Sequence, residues 1–393
     1  MKYINFDAVI IGGGIVGLTL ACALASKNIK VALIEKSNME LRYNAKPDGR
    51  ASAISYGSKQ ILQAFNLWHH LESEAGLIEE IRVSDNKSKL FLHFDHELVS
   101  GQPLGFMLEN NTLIHKLYES AKNYENLIMY SECHYNLIEE KNDKVFITLE
   151  NKAILSADIL IAADGKNSAV RKLTNIEVVS KNYDQTAIVC SVSHELNHHN
   201  IAQERFLPSG PFAILPLRGG FHSAIVWTEK KDRVPVLMSM VDEEFLYFLR
   251  QRFTDYLGEI KIHKPRFAYP LSFSYAKKYY SHNIVLVGDA AHAIHPIAGQ
   301  GVNMGFRDIE ILVKLMVQYK KLGFALNNSQ LLAEYERTRQ ADNQAMLLIT
   351  HGLNALFSND YLPVKVMRRL GLAAVNKIPL LQKYFMNYAR GVY

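Results

Sequence analysis

Three clusters of glycines and acids set the chemical possibilities of this chain. Gly12, Gly14 and Gly17 form a GxGxxG run directly after the apolar residues 6–11. The first glycine of such a run permits a tight turn, the second lets backbone approach a pyrophosphate, and the third allows a helix to pack closely on a sheet. Glu35 follows 23 positions after Gly12. A carboxylate there can accept hydrogen bonds from both hydroxyls of an adenosine ribose and repels a 2′-phosphate, which suits FAD or NAD and disfavours NADP. Asp164-Gly165 ends a second apolar run, and Gly288-Asp289 ends a third. Acids at the carboxyl ends of parallel strands stand where open α/β sheets bind ligands. Asp289 suits the hydroxyls of a sugar alcohol. Gly299 and Gly301 precede a helical repeat (Val302, Phe306, Ile309, Leu312, Val313, Met316), whose N-terminal dipole favours negative charge. Three strand-end motifs on one sheet are hard to explain without a long ligand.

Such motifs need a parallel sheet to align them. Residues 6–11, 30–34, 159–163 and 284–287 read as its strands, and residues 15–26 as the first crossover helix. The uncharged run from Ala8 to Ala25 has 18 residues, the lower edge for a membrane span, and Ala23-Leu24-Ala25 imitates a cleavage site. Glycines in its middle and Asp7 at its start argue for strand, turn and helix instead, so neither export nor a span is expected. With 393 residues, 48% of them hydrophobic and 21% charged, the chain is neither disordered, collagenous nor a coiled-coil rod. Cys22, Cys133 and Cys190 are too few and too scattered for a disulfide framework, which points to a reducing compartment. Residues 128–149 read as a hairpin turning near Asn142-Asp143. Residues 331–348 read as a long helix with Leu332, Tyr335, Ala345 and Leu348 toward the core. His69-His70 and His198-His199 read as surface loop residues. His292 and His295 invite a metal reading, but His295-Pro296 is a loop and no third ligand is indicated, so no metal is expected and His292 is taken as structural. No Ser-His-Asp set or paired carboxylates point to hydrolysis.

Gly12-Gly-Gly-Ile-Val-Gly17, Ala163-Asp-Gly-Lys-Asn-Ser168 and Gly288-Asp289 followed by His295-Pro296 resemble the three motifs of the FAD-dependent aromatic hydroxylases of the p-hydroxybenzoate hydroxylase type. Gln203-Glu-Arg-Phe206, Gly210-Pro211, Leu215-Pro-Leu217, Val226-Trp227 and His295-Pro-Ile-Ala-Gly-Gln-Gly301 with Asn303 are similar to the ubiquinone-biosynthesis branch of that family. The likeness covers nearly the whole chain. It implies an α/β fold: a Rossmann-like FAD-binding domain, a discontinuous β-sheet substrate domain and a helical C-terminal tail. The FAD domain is expected from 1–75, 105–177 and 270–345, the substrate domain from 76–104 and 178–269, and the tail from 346–393. The resemblance assigns Gly12, Gly14, Gly17 and Glu35 to the ADP half of FAD, and Arg50 to FAD and the active site. It assigns Asp164 and Gly165 to FAD and the nicotinamide donor, and Asp289 to the ribityl chain. Gly301, Val302 and Asn303 fall in the loop under the flavin ring, and His295, Pro296, Gly299 and Gln300 at its catalytic face.

The implied reaction uses NAD(P)H to reduce FAD, after which O2 adds and a flavin hydroperoxide delivers one oxygen to an electron-rich ring. The cofactor carries the difficult step, and the protein supplies position, electrostatics and dryness. The leading expectation is hydroxylation of a polyprenylated phenol on the way to ubiquinone. The alternatives are a hydroxylase of a soluble aromatic compound and a flavin-binding scaffold without turnover. A tryptophan-based halogenase is excluded, because the chain has only Trp68 and Trp227. Residues 363–393 carry six basic residues and no acid, against a chain total of +5, so the basic excess is local. Apolar residues between those charges suit an amphipathic helix on an anionic membrane surface, or equally one packed on the protein's own core. A cytoplasmic protein in peripheral contact with the inner membrane face is the resulting expectation. A ubiquinone-biosynthesis complex or a second copy of the chain remains open as a partner. Nucleic acid does not, since no basic patch interleaved with aromatics accompanies a reading fold.

Overall fold

The computed structural model describes residues 3–44, 48–85, 91–99, 101–253, 255–294, 299–357 and 378–392. The apolar runs form one sheet in the order Tyr280–Ser281, Ile284–Leu286, Ile154–Ala162, Tyr3–Ile11, Val31–Ile34 and Leu127–Tyr130. All pairings from Ile284–Leu286 to Leu127–Tyr130 are parallel. Val31–Ile34 is buried throughout and Ile154–Ala162 nearly so, as expected for strands covered on both faces. Helix Ile15–Ala25 packs against helices Asn110–Ala121 and Gly301–Lys321 over this sheet. Each Leu, Ile or Val that this core removes from water stabilises by about 1.5–3 kcal/mol.

The hairpin differs from expectation. Its strands are Tyr135–Lys141 and Lys144–Leu149, joined through Asn142 and Asp143, both at positive φ. That is the backbone of a two-residue hairpin turn with the twist the strands require. Leu127–Tyr130, read as the hairpin's first arm, instead extends the parallel sheet beside Val31–Ile34. Its apolar run fits either place, and only the turn residues distinguish them.

A second sheet runs His292–Ala293, Ile260–Ala276, Val178–His194, His222–Lys230, Gly210–Pro216, Ile201–Leu207, Glu80–Asp85 and Phe91–Asp95. One face buries Ile188, Cys190, Phe212, Ile214, Ile225 and Trp227 against helices Val234–Ser239 and Asp242–Phe253. The other face turns toward the cofactor domain. There Ala202, Leu215 and Ala224 cluster with Ala51, Ala53 and Met107, which belong to the small sheet Ala51–Ser55, Gly105–Glu109 and Gly76–Ile78.

Helix Ser329–Phe357 runs unbroken through residue 346, where the tail was expected to begin. Its inward stripe is Leu332, Tyr335, Arg339, Asn343, Met346 and Thr350, whereas Ala345 and Leu348 are exposed. Two buried polar residues interrupt the apolar repeat, so a reading based on hydrophobicity slipped in phase. Helix Pro379–Arg390 returns to the body of the protein. Met386 joins the cluster around Ala202 and Met107, and buried Arg390 lies 4.6 Å over the Tyr56 ring.

Candidate cofactor and substrate site

In the parallel sheet Ile34, Ile11, Ala162 and Leu286 are aligned by register. The residues that follow them, Glu35, Gly12, Ala163-Asp164 and Val287-Gly288-Asp289, therefore emerge along one edge. The fold thus brings together the nucleotide-binding candidates and Asp289.

At the nucleotide end, Gly12 and Gly17 are demanded by the chain itself. Gly12 has φ +109, and a Cβ on Gly17 would stand 1.8 Å from the Gly12 carbonyl oxygen. Gly14 has no such reason. A Cβ there would meet no heavy atom within 4 Å, and Gly14 caps helix Ile15–Ala25 without any side-chain hydrogen bond. Open space before an uncapped helix N-terminus suits a phosphate group. The buried Glu35 carboxylate accepts from Gly13 N at 2.6 Å and Ser37 N at 2.9 Å. Two backbone donors fix it beside the glycine turn, where a carboxylate can accept from ribose hydroxyls.

At the middle of the edge, one Asp164 oxygen accepts from Ala169 N at 2.8 Å and Val170 N at 3.2 Å. Its other oxygen, Oδ1, is buried with no hydrogen-bond partner among the described residues. A buried acceptor left open is costly unless a ligand satisfies it. Gly165, at φ +83, has open space around its Cβ position. Arg171 donates to Ala290 O at 2.7 Å and Lys166 O at 2.8 Å, which ties this motif to the Gly288-Asp289 turn. Asp289 is exposed at its own surface but has protein packed densely around it. That crowding raises its carboxyl above the usual range, while His292, Lys166 and Arg50 pull it back. Arg50 pairs with Asp48 at 2.7 Å and lies 5.2 Å over the Tyr269 ring.

At the far end, Asn303 is buried and fully engaged. It accepts from Ser55 N at 2.9 Å and donates to Ala53 O at 2.9 Å and Gly299 O at 3.2 Å. Its side chain therefore staples the glycine loop to strand Ala51–Ser55. Gly301 and Val302 open helix Gly301–Lys321, whose N-terminus has no side-chain cap. Gln300 donates to Ala389 O at 3.3 Å, joining this loop to helix Pro379–Arg390. His295 and Pro296 lie outside the described residues.

Behind Asp289 stands a buried polar cluster that the sequence reading did not contain. Asp308 accepts from Gly288 N at 2.9 Å, Arg339 Nε at 2.7 Å and the His292 ring at 2.6 Å. Burial alone would raise the Asp308 carboxyl, but His292 and Arg339 outweigh it and hold it far below the carboxylate range. Arg339 also reaches Asp342 at 2.6 Å and Asn343 at 2.7 Å. Only polar and charged residues at core positions of otherwise apolar helical repeats (Asp308, Arg339, Asn343) signalled it. His198, expected on the surface, is likewise buried. Its Nδ1 accepts from Asn200 N at 3.0 Å, which leaves Nε2–H to donate to Leu217 O at 2.7 Å. Backbone groups at both nitrogens make it a satisfied core residue, and burial lowers its pKa.

These residues fit FAD. An open pyrophosphate space, a ribose-facing acid, an orphaned acceptor and an acid at the third strand end follow one another along the edge.

A family described as FAD binding domain matches residues 5–349. The chain is 42% identical over 385 residues to the ubiquinone hydroxylase UbiL of Rhodospirillum rubrum, covering 98% of this chain and 89% of that protein. It is 30% identical to the mitochondrial ubiquinone biosynthesis monooxygenase COQ6 of Drosophila melanogaster, covering 98% of this chain and 90% of the other. Among solved structures, p-nitrophenol 4-monooxygenase PnpA of Pseudomonas putida superposes with a TM-score of 0.83 at 19% identity, over 99% of this chain and 98% of that one. That last likeness speaks to the fold alone.

Proposed function

The chain belongs to the FAD-dependent ubiquinone hydroxylases, and from that premise we propose that it hydroxylates the ring of a polyprenylated phenol in ubiquinone biosynthesis. It is an FAD-dependent monooxygenase, with NAD(P)H and O2 as its co-substrates. FAD, when bound, accepts reducing equivalents from the nicotinamide and activates dioxygen, and the protein's task is to hold, orient and exclude water. The amides after Gly14 would take the pyrophosphate, Glu35 the adenosine ribose and Asp289 the ribityl hydroxyls. The Gly299–Asn303 turn would lie under the ring, with the Gly301–Lys321 helix dipole favouring negative charge there. Arg50, between Asp48 and Tyr269, would reach the same ring from the substrate domain's side.

The observation that carries this reading is the alignment of all three motifs at one sheet edge. Purified protein given a prenylated phenol and, separately, a soluble aromatic acid tests it. Donor oxidation coupled to hydroxylated product from the phenol is expected. Product from the soluble acid alone would contradict it. The carbon that gains oxygen follows from removing the gene and identifying the accumulated precursor by mass spectrometry.

A bilayer-resident substrate calls for membrane access, and we place it at the C-terminal helix. Pro379–Arg390 docks through Met386 and Arg390, while Leu380, Tyr384 and Phe385 are exposed beside Lys383. Exposed aromatic and aliphatic side chains with basic neighbours suit an anionic surface. Residues 363–377, which hold four of the six basic residues, lie outside the described residues. Among the described residues no helix is long and apolar enough to cross a membrane. Leu380→Asp with Phe385→Asp should abolish sedimentation with anionic liposomes and spare FAD binding, because neither side chain is docked. Unchanged sedimentation would contradict the placement.

A further inference from the structure

The cofactor-facing side of the second sheet carries a carboxyl that no step above uses. Glu204 stands opposite Ala213 on one neighbouring strand and Val83 on the other. Paired residues share a face, as do residues two apart along a strand. Its neighbours on that face are therefore Ala213, Val83, Ala202 and Phe206, all apolar. Arg205 points to the opposite face, where it donates to Arg252 O at 3.1 Å.

The side that Glu204 looks toward follows from the flanking clusters. Ala202 and Leu215 pack with Ala51 and Ala53, and a Cβ on Gly299 would stand 2.9 Å from the Ala53 Cβ. On the adjoining patch Val226 packs with Phe267 and Tyr269, and Tyr269 donates to Asp48 O at 3.0 Å beneath Arg50. Glu204 thus lies between two patches that both abut the residues assigned to the ring end. Among the described residues it has no hydrogen-bond or ion-pair partner. Glu204 is half-buried, and the protein packed around it is the one influence on its carboxyl, pushing it up to about 7. The other titratable groups toward this face are Asp85 beyond Val83, Tyr269 with Arg50 and Asp48, His222 two residues before Ala224 with the His263 ring 4.5 Å away, and Lys264 opposite Ser191, paired with Glu109.

We propose that Glu204 is a catalytic residue, whose carboxylate takes the hydroxyl proton of the phenol as a ring carbon ortho or para to that hydroxyl gains oxygen. This role rests on the phenol reading above. The O–H bond breaks, its electron pair enters the ring, and a C–O bond forms at the activated carbon. The C–H proton there leaves as aromaticity returns, and Glu204 returns its proton to the original oxygen. Dioxygen supplies the inserted atom, NAD(P)H the two electrons, and the second oxygen atom leaves as water. A general base with a pKa near the working pH is what this transfer needs.

The test compares wild-type holoenzyme with Glu204→Gln, using a short-chain prenylated phenol and its O-methyl ether as probes. Binding is read from the flavin spectrum, and hydroxylated product per donor oxidised is read across the range around pH 7. Glu204→Gln should keep FAD and bind both rings, yet hydroxylate about 100-fold more slowly. The wild-type rate should rise as Glu204 ionises, and so should its binding preference for the phenol over the ether. The glutamine variant should show neither rise. Glu204→Asp, which keeps a carboxyl on a shorter stem, should restore part of the pH-dependent limb, and a flat profile there counts against the proposal. A glutamine variant within about threefold of wild type, with the same pH profile, overturns the Glu204 role and leaves the phenol reading standing. A wild type that binds neither ring overturns both.

Discussion

The nucleotide end and the ring end of the cofactor site are built by different means. At the nucleotide end, backbone atoms set the geometry. Gly17 is fixed by the Gly12 carbonyl inside one turn, Gly12 by its positive φ against the Ala163 backbone, and Glu35 is held by the amides of Gly13 and Ser37. At the ring end, buried polar side chains join separate elements. Asn303 binds strand Ala51–Ser55 about 250 positions earlier, and Asp308 gathers Gly288, His292 and Arg339 from three elements. A local turn can be positioned by short-range geometry. A broad ring that exchanges electrons needs a rigid floor, and here that floor is a satisfied polar network.

Substitutions at the two ends should therefore fail differently. The largest effect belongs to Gly17→Val, whose branched side chain must displace the Gly12 carbonyl. It should cost at least about 3 kcal/mol and abolish FAD binding, seen as a lowered Tm in colourless protein. Retention of wild-type Tm would show that the turn can yield. Next comes Asp308→Ala, which strands His292 and Arg339 in the interior and should cost about 3–5 kcal/mol in denaturant unfolding. Because the folded carboxyl is depressed, Asp308 contributes stability above the ordinary carboxylate range and loses it as pH falls toward its own low value. The acid limb of unfolding should accordingly be shallower in Asp308→Asn than in wild type, and equal limbs would remove this linkage. The smallest stability effect belongs to Gly14→Ala. The apoprotein should lose about 1 kcal/mol or less, the cost of alanine at a helix N-cap. FAD affinity, measured by titration, should nevertheless fall at least about tenfold, or 1.4 kcal/mol, because the methyl enters the phosphate space. Unchanged affinity would mean that the space serves nothing.

This contrast also explains what could be read in advance. The strand–turn–helix at the N-terminus follows from hydrophobic runs, glycine positions and one acid, all within about thirty residues. The strand-end placement of Asp164 and Asp289 follows from the same logic applied twice more. The functions of Asn303 and Asp308 do not, because Asn303's partners on strand Ala51–Ser55 lie about 250 positions away and Asp308's are polar groups on other elements that no apolar repeat announces. For the same reason the phase of helix Ser329–Phe357 slipped, since Arg339 and Asn343 occupy core positions that a hydrophobic repeat cannot reveal. His198 was misplaced because a doubled histidine in a polar stretch looks solvated, and only the Leu217 carbonyl and Asn200 amide make it a core residue. Glu204 stood in a recognisable string, but its isolation on an apolar face emerges only from cross-strand register.

One extended coenzyme is expected to span the edge from Glu35 to the Gly299–Asn303 turn. Titration of flavin-free protein with FAD and with FMN, followed by absorbance and calorimetry, tests it most directly. One FAD should bind per chain, at least about 100-fold more tightly than FMN, because FMN lacks the adenosine that Glu35 would hold. Glu35→Ala should erase most of that margin. Equal affinity for FMN and FAD, or no uptake of either, would contradict the account.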